Sequence, residues 1–400
     1  MCPRSVLTAV LATAGLVLAG APAHAGSSVE RISIPDHATL KIAGHGFGHG
    51  HGLSQYGAEG AARQGLSARR IVRFYYPHTQ AGTSGGNVRV WLSADTDHDT
   101  TVLARPGLLV RDLAGGAARQ VPTTGEAGKA TRWRLSGRGT ATRVSYRTDT
   151  WHTWRTLKGN GEFRSTGKPL RLVVAGHAMG YRGTLQSLAP VKGHPGRITV
   201  NKVSLEAYVR GVVAREMPAS WHQAALRAQA IAARTYAAYK IAHPLSSRAA
   251  LCDTSSCQVY GGTAAETPST DRAVAKTARQ VRLFHGAPAF TEFSSSNGGW
   301  TAASSQPGQP YLDAHRDPYD GWSGNGYHSW TTKVSASAVE KAFRLGNLRR
   351  IVITERDGNG QWNGRVLGMR LVASKRTVTI SGDTFRSALG LRSTWFDISV

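Results

Sequence analysis

The chain has 400 residues, and 49 Lys+Arg against 24 Asp+Glu give a formal charge of +25 and a pI near 10.7. With 40% hydrophobic residues, 10 Trp and 12 Tyr it has material for a packed core, which excludes a disordered basic tail, and its length allows two or three domains. Such a positive field attracts polyanions in general, whether nucleic acid, anionic lipid or anionic cell-wall polymers, so the compartment must choose among them.

The compartment is legible at the N-terminus. Arg4 precedes an apolar run over 6–18, and Ala23-His24-Ala25 supplies a small-x-small pattern, so residues 1–25 read as a secretory signal peptide cleaved before Gly26. An uncleaved anchor is the alternative, but the run is short for a spanning helix and no later stretch approaches about 20 apolar residues. Export turns the expectation away from nucleic acid and from stable membrane insertion, and towards a secreted protein at the cell wall. Cys2 leaves with the signal, and the remaining pair, Cys252 and Cys257, suits a disulfide closing a short loop; half of a zinc site is the alternative.

Residues 26–40 read as an extended leader. The stretch 44–60 holds seven glycines in seventeen residues, a backbone that turns tightly or approaches a ligand closely. Ser67 caps a short helix with apolar Ile71, Phe74 and Tyr75, Pro77 stops it, and 80–86 reads as a linker. Residues 87–200 alternate short β-rich runs with Gly, Asp and Thr turns; Trp133, Trp151 and Trp154 there suit a β core or stacking on sugar rings, the core being the commoner use.

Helical periodicity starts after Lys202. Ser204 caps a helix whose apolar stripe is Leu205, Tyr208, Val209, Val212 and Val213, and the next position on that stripe is Glu216, just before Pro218. Ser220-Trp221-His222-Gln223 has capping-box spacing and opens an alanine-rich helix from Trp221 to about Ala242, on which Arg227 and Arg234 share a face. A short helix begins at Thr270-Asp271, and 281–284 with 288–293 reads as a hairpin about His285-Gly286 that runs into the polar loop 294–300. Asp313, Asp317 and Asp320 sit in a loop-rich stretch, 335–343 looks helical, strands follow around Ile351, Val366 and Val378, and a last helix starts near Asp383. The expected class is α+β: a Gly/His-rich segment with short helices over 26–86, an inserted or adjacent β-rich domain over 87–200, and a mixed helical and β catalytic region over 201–400.

A carboxylate at the end of an apolar face is disfavoured in its ionised form, which is what a general acid at neutral pH requires. A structural ion pair of Glu216 with Arg215 or Arg227 is the other reading, as a solvated face is for Arg227 and Arg234. Most glycosidases need two carboxylates, and no partner for Glu216 stands at a recognisable spacing, so a glycan substrate would have to supply its own nucleophile. His45, His49 and His51 invite a metal, but no carboxylate or fourth ligand accompanies them in the sequence, and hydrogen bonding is the simpler use. Ser54, Ser295 and Ser296 lack the Gly-x-Ser-x-Gly elbow of a serine hydrolase.

Residues 201–300 resemble the sporulation stage II protein D family, SpoIID/LytB, whose members act on bacterial peptidoglycan. The resemblance rests on Asn-Lys-Val-Ser-Leu-Glu-Ala-Tyr-Val-Arg-Gly-Val-Val at 201–213, Glu216-Met217-Pro218-Ala219-Ser220-Trp221, and Ala-Gln-Ala-Ile-Ala-Ala-Arg-Thr-Tyr at 228–236. Cys252-Asp253-Thr254 with Cys257-Gln258-Val259-Tyr260, the tail 385–393, Gly48-His49-Gly50 and Ser54-Gln55-Tyr56-Gly57-Ala58 also look like family segments. It implies a lytic transglycosylase that cuts between N-acetylmuramic acid and N-acetylglucosamine and leaves a 1,6-anhydro ring, with Glu216 as acid and base; the alternative it implies is a non-catalytic, glycan-binding amidase enhancer. Arg227 and Arg234 would hold Glu216 or the glycan, and His49, Gln55, Tyr56, Ser295, Ser296 and Asn297 are the other substrate-binding candidates. The implied partners are peptidoglycan strands and a cell-wall amidase. Zinc-binding relatives carry a histidine where this chain has Ser256, and only His49 of the three histidines follows the family pattern, so no metal or other cofactor is expected. The Gly-His-Gly segment, C-terminal in the sporulation protein, comes first here, an apparent permutation that predicts mature termini close together.

Overall fold

Hydroxyl caps set most helix starts. Helices α1 (Gln55–Arg63), α2 (Ala68–Tyr75) and α3 (Leu205–Glu216) follow Ser54, Ser67 and Ser204, whose side chains accept from the backbone N–H of Gly57, Arg70 and Ala207. Helix α4 (Gln223–Ala242) is the exception among α4, α5 (Pro268–Lys276), α6 (Ala336–Phe343) and α7 (Gly382–Leu389), since Thr267, Ser335 and Ser381 cap the last three. The expected capping box of α4 does not form: Gln223 donates to Ser269 instead, and the helix begins two residues later than expected, behind His222. Glu59 of α1 serves as the cap, its buried carboxylate accepting from the His222 N–H at 2.9 Å and meeting its Nδ1 at 2.8 Å, an anion at the positive end of the helix.

This computed structural model describes residues 29–139, 141–190, 196–304, 306 and 308–400, so the signal peptide expected over 1–25 lies outside the described residues. The architecture is a mixed α+β one. A seven-stranded sheet runs in the order Leu251–Cys252, Asn87–Trp91, Ile198–Ser204, Thr184–Leu188, Gly161–Ser165, Leu108–Asp112, Arg119–Gln120, and a six-stranded sheet is built on Ala141–Arg147 and Arg132–Arg138. The strand Ile198–Ser204 leads straight into α3 through the Ser204 cap, so the β-rich region and the helices share one core, from Trp133 and Phe163 to Tyr208 and Ala232. Trp133 is fully buried, while Trp151 and Trp154 are half-buried beneath Arg134 and Arg155. Helix α4 lies between α1, α2, α3 and α5, and its buried alanines permit that close approach.

Several connecting segments are strands. The expected leader contains Glu30–Ser33, paired with Leu348–Arg356, and enters Thr39–His45, paired with Ser329–Ser335 and with the last strand, Phe396–Ser399. The expected linker holds Gln80–Thr83, which pairs with Gln280–Phe284. The second arm of the expected hairpin is split: Ala287–Pro288 closes the turn, whereas Phe293–Ser294 pairs in parallel with Leu53–Ser54. Helix α5 begins at Pro268, two residues before Thr270. These pairings close a second core, from Leu40 and Ile42 to Phe385, Phe396 and Ile398, in which the N-proximal and C-terminal strands are neighbours; Arg356 meets Glu30 at 2.6 Å and Asp397 at 3.8 Å. The expected closeness of the two ends is therefore observed for the described residues.

Phe396 is fully buried against Phe385, with ring centroids 5.6 Å apart. Phe396→Ala should cost about 3–5 kcal/mol in urea unfolding; a loss below about 1 kcal/mol would mean that the closing strand is dispensable.

Candidate active site

Helix α3 carries Glu216 as its last residue, one step beyond the buried stripe that ends at Val212 and Val213, and Met217 turns the chain into extended backbone. The carboxylate is held at both oxygens: Gln55 Nε2 donates to Oε2 at 2.9 Å and the Val259 N–H donates to Oε1 at 3.3 Å. Burial raises the Glu216 pKa above the ordinary carboxylate range, and the two hydrogen bonds with the nearby Arg215 reduce that rise without reversing it. The ion pair allowed by the sequence is not made: among the described residues no arginine or lysine comes within 4.0 Å of this carboxylate.

Glu216 lines a cleft of 480 Å³. One wall is Phe47 to His49, a second is the cysteine loop from Ser255 to Val259, a third is Glu292 to Ser295, and Tyr236 and Arg386 complete it. Cys252 and Cys257 are disulfide-bonded, with Cα atoms 5.6 Å apart, and that short loop aims the Val259 N–H at Glu216. Gln55 reaches the carboxylate because α1 starts at Ser54, whose hydroxyl donates to buried Asp320 at 2.7 Å. Asp320 also accepts from Ser296 Oγ, the Asn297 N–H, Asn325 Nδ2 and His328 Nδ1 at 2.9–3.2 Å. Beside it, Asp317 accepts from Tyr75 and Asn297, and burial together with the Asp320 charge pushes its pKa up to about 6.

With this geometry in view, residues 194–284 match the family model for the Stage II sporulation protein, SpoIID. The chain is 39% identical over 135 residues to the amidase enhancer of Bacillus subtilis, which is 33% of this chain and 17% of that protein. It is 29% identical over 234 residues to stage II sporulation protein D of B. subtilis and 28% identical over 223 residues to that of Bacillus amyloliquefaciens, in each case 50% of this chain and 61% of the relative. Residues 194–284 belong to the SpoIID family. The chain thus spans under two thirds of the length of each of these relatives. The SpoIID region supplies Glu216, Tyr236 and the cysteine loop to the cleft, while His49, Glu292 to Ser295 and Arg386 reach it from outside 194–284.

The two arginines of the SpoIID region do not line the cleft. Arg234 is fully buried, forks onto Glu206 with two 2.9 Å bonds and donates to the carbonyls of Ala230, Gln280 and Val274, which fastens α4 to α3 and α5. That interior position corrects the expectation that it holds Glu216 or a glycan. Arg227 is half-buried one face-repeat earlier on α4 and absent from the cleft wall. Ser295 and His49 line the cleft, but Ser296 and Asn297 are buried and fully engaged with Asp320 and Asp317, so these two serve the loop's shape rather than its surface.

Tyr56 packs into an aromatic group, with its ring 4.8 Å from Trp221, 5.4 Å from Tyr327 and 6.2 Å from Trp322. Trp322 and Tyr327 were not visible as site neighbours in the sequence, since they lie far along the chain and in a loop. Glu292 was also missed. Its signal was a lone acid among Phe290, Thr291 and Phe293, and the structure sets it 3.3 Å from His51, which corrects the expectation that the histidines have no carboxylate. Burial works to raise the Glu292 pKa, but His51 and then His49 outweigh it and the net shift is downward. His45 stands apart, with its nitrogens on the His328 carbonyl and on Gln361.

Because the pKa of Glu216 is higher in the folded than in the unfolded chain, the folded state binds more protons between those values, and stability falls as pH rises through that window. Glu216→Gln removes this dependence. Thermal unfolding from pH 4.5 upwards should therefore move in favour of the variant as pH increases; a difference that stays constant or moves the other way would contradict the raised pKa.

Proposed function

We propose that the protein is a secreted peptidoglycan lytic transglycosylase in which Glu216 is the general acid and base. The observation that carries this reading is the Glu216 carboxylate itself: oriented by Gln55 and Val259, raised in pKa by burial, and open to a cleft large enough for sugar rings. Protonated Glu216 donates its proton to the glycosidic oxygen between N-acetylmuramic acid and N-acetylglucosamine, and the C1–O bond breaks. The resulting carboxylate accepts the proton of the muramic acid C6 hydroxyl as that oxygen bonds to C1, closing the 1,6-anhydro ring. Water is not consumed, and Glu216 ends protonated as it began. No cofactor enters this mechanism.

A role at the bacterial cell wall is supported by the relatives' names, a sporulation protein and an amidase enhancer. The strongly positive charge, +25 over the full chain and one less once Arg4 is removed, would hold such a protein on an anionic wall. No helix among the described residues is long and apolar enough to cross a membrane. The amidase enhancer relative favours a second reading, in which the same cleft binds glycan without cutting it and a cell-wall amidase is the partner.

Mass spectrometry of sacculi digested with the protein alone should show anhydro-muropeptides or anhydro-glycans, and Glu216→Gln should lower their release by about 10²–10⁴-fold while sacculus binding persists. Products that appear only when an amidase is added, equally for both forms, would favour the enhancer. Reducing muramic acid ends in place of anhydro ends would instead indicate a hydrolase, which needs a second carboxylate.

A further inference from the structure

The glycine-rich segment brings two imidazoles together beside Glu292, His49 at the cleft wall and His51 behind it. We propose that His49, His51 and Glu292 form a binding site for a divalent transition-metal ion of the zinc class. One donor atom from each of the three lies within 4.8 Å of the others. His51 Nδ1 and Glu292 Oε2 are 3.3 Å apart, and two ligands bonded to zinc at about 2.0–2.1 Å in tetrahedral geometry stand about that far from one another.

Both of these atoms are sealed from solvent, and neither makes an aligned hydrogen bond, so the pair is an unsatisfied polar contact that a bound cation would satisfy. The backbone holds the two segments that carry these side chains close together. Leu53 pairs in parallel with Phe293, and Gly52, at φ +61, lies so close that a Cβ there would sit 2.1 Å from the Glu292 carbonyl oxygen. Two imidazoles and one carboxylate suit zinc-like ions, whereas calcium and magnesium need more oxygen ligands.

Three protein ligands leave a coordination position free, as in catalytic rather than structural metal centres. His49 and Glu292 both line the cleft, so an ion they held would stand at its wall and could take an oxygen ligand there, such as a carboxylate or an acetamido carbonyl. Two features oppose binding: Arg386 lines the same cleft, and His49 Nδ1 accepts the His51 N–H at 3.0 Å, a bond the ring exchanges for the metal if that nitrogen ligates. The inference does not rest on the glycan reading.

The test is uptake rather than activity. The purified protein, made without a histidine tag and stripped with chelator, is titrated with Zn²⁺ by calorimetry and with Co²⁺ by visible absorption. One equivalent of Zn²⁺ should bind, Co²⁺ should give the d–d bands of a low-coordinate N/O site, and His51→Gln and Glu292→Gln should each weaken binding by about tenfold or more. His45→Gln should bind as the unmodified protein does, and circular dichroism reports whether each variant is folded. Absence of stoichiometric uptake by the unmodified protein, or uptake unchanged in the folded His51 and Glu292 variants, overturns the site.

Discussion

Asp320, a fully buried carboxylate, gathers Ser54 from the start of α1, Ser296 and the Asn297 N–H from the loop after Phe293, and Asn325 and His328 from the segment that follows it. Leaving such a charge without partners in the interior would cost far more than any one of these bonds contributes, so the segments that supply them are held in one arrangement. The consequences run outward. Ser54 fixed on Asp320 also caps α1, α1 presents Gln55 to Glu216 and Glu59 to the N-terminus of α4, and the loop beside Ser296 becomes a cleft wall.

The SpoIID region supplies the acid and one of the two groups that orient it, the Val259 N–H, but not the other. Glu216 ends α3 inside the matched stretch, yet its Gln55 partner belongs to the first helix of the chain, and the far wall of the cleft comes from residues beyond Phe284. Two carboxylates on one cleft have their pKa values pushed in opposite directions, Glu216 upward by burial and Glu292 downward by its histidines in spite of burial. Such divergence is the usual way in which neighbouring acids acquire different work.

Buried arginines show how the same residue type is spent in two ways. Arg234 binds Glu206 and three carbonyls inside the helical core, and Arg356 ties Glu30 to the strands at the chain's far end. Each is fixed by a fork of hydrogen bonds and therefore cannot swing to a ligand. The excess positive charge that dominates the composition is left to the surface, where it acts at long range.

Local order determined much of what the sequence could say by itself. The i, i+3, i+4 stripe of α3 and its continuation to Glu216, the serine caps of α2 and α3, the helix before Phe343 and the strands near Ile351 and Val366 all depend on residues within a few positions of one another. Pairings between distant segments were decided only in the tertiary structure. Phe293 beside Leu53 brings Glu292 to His51, Gln80–Thr83 becomes an edge of Gln280–Phe284, and Glu59 rather than Ser220 caps α4. The reason is physical: a cap or an amphipathic stripe is a short-range preference of the backbone, whereas the choice of partner for a buried strand or carboxylate is made by the whole folded chain, which must satisfy every such group at once.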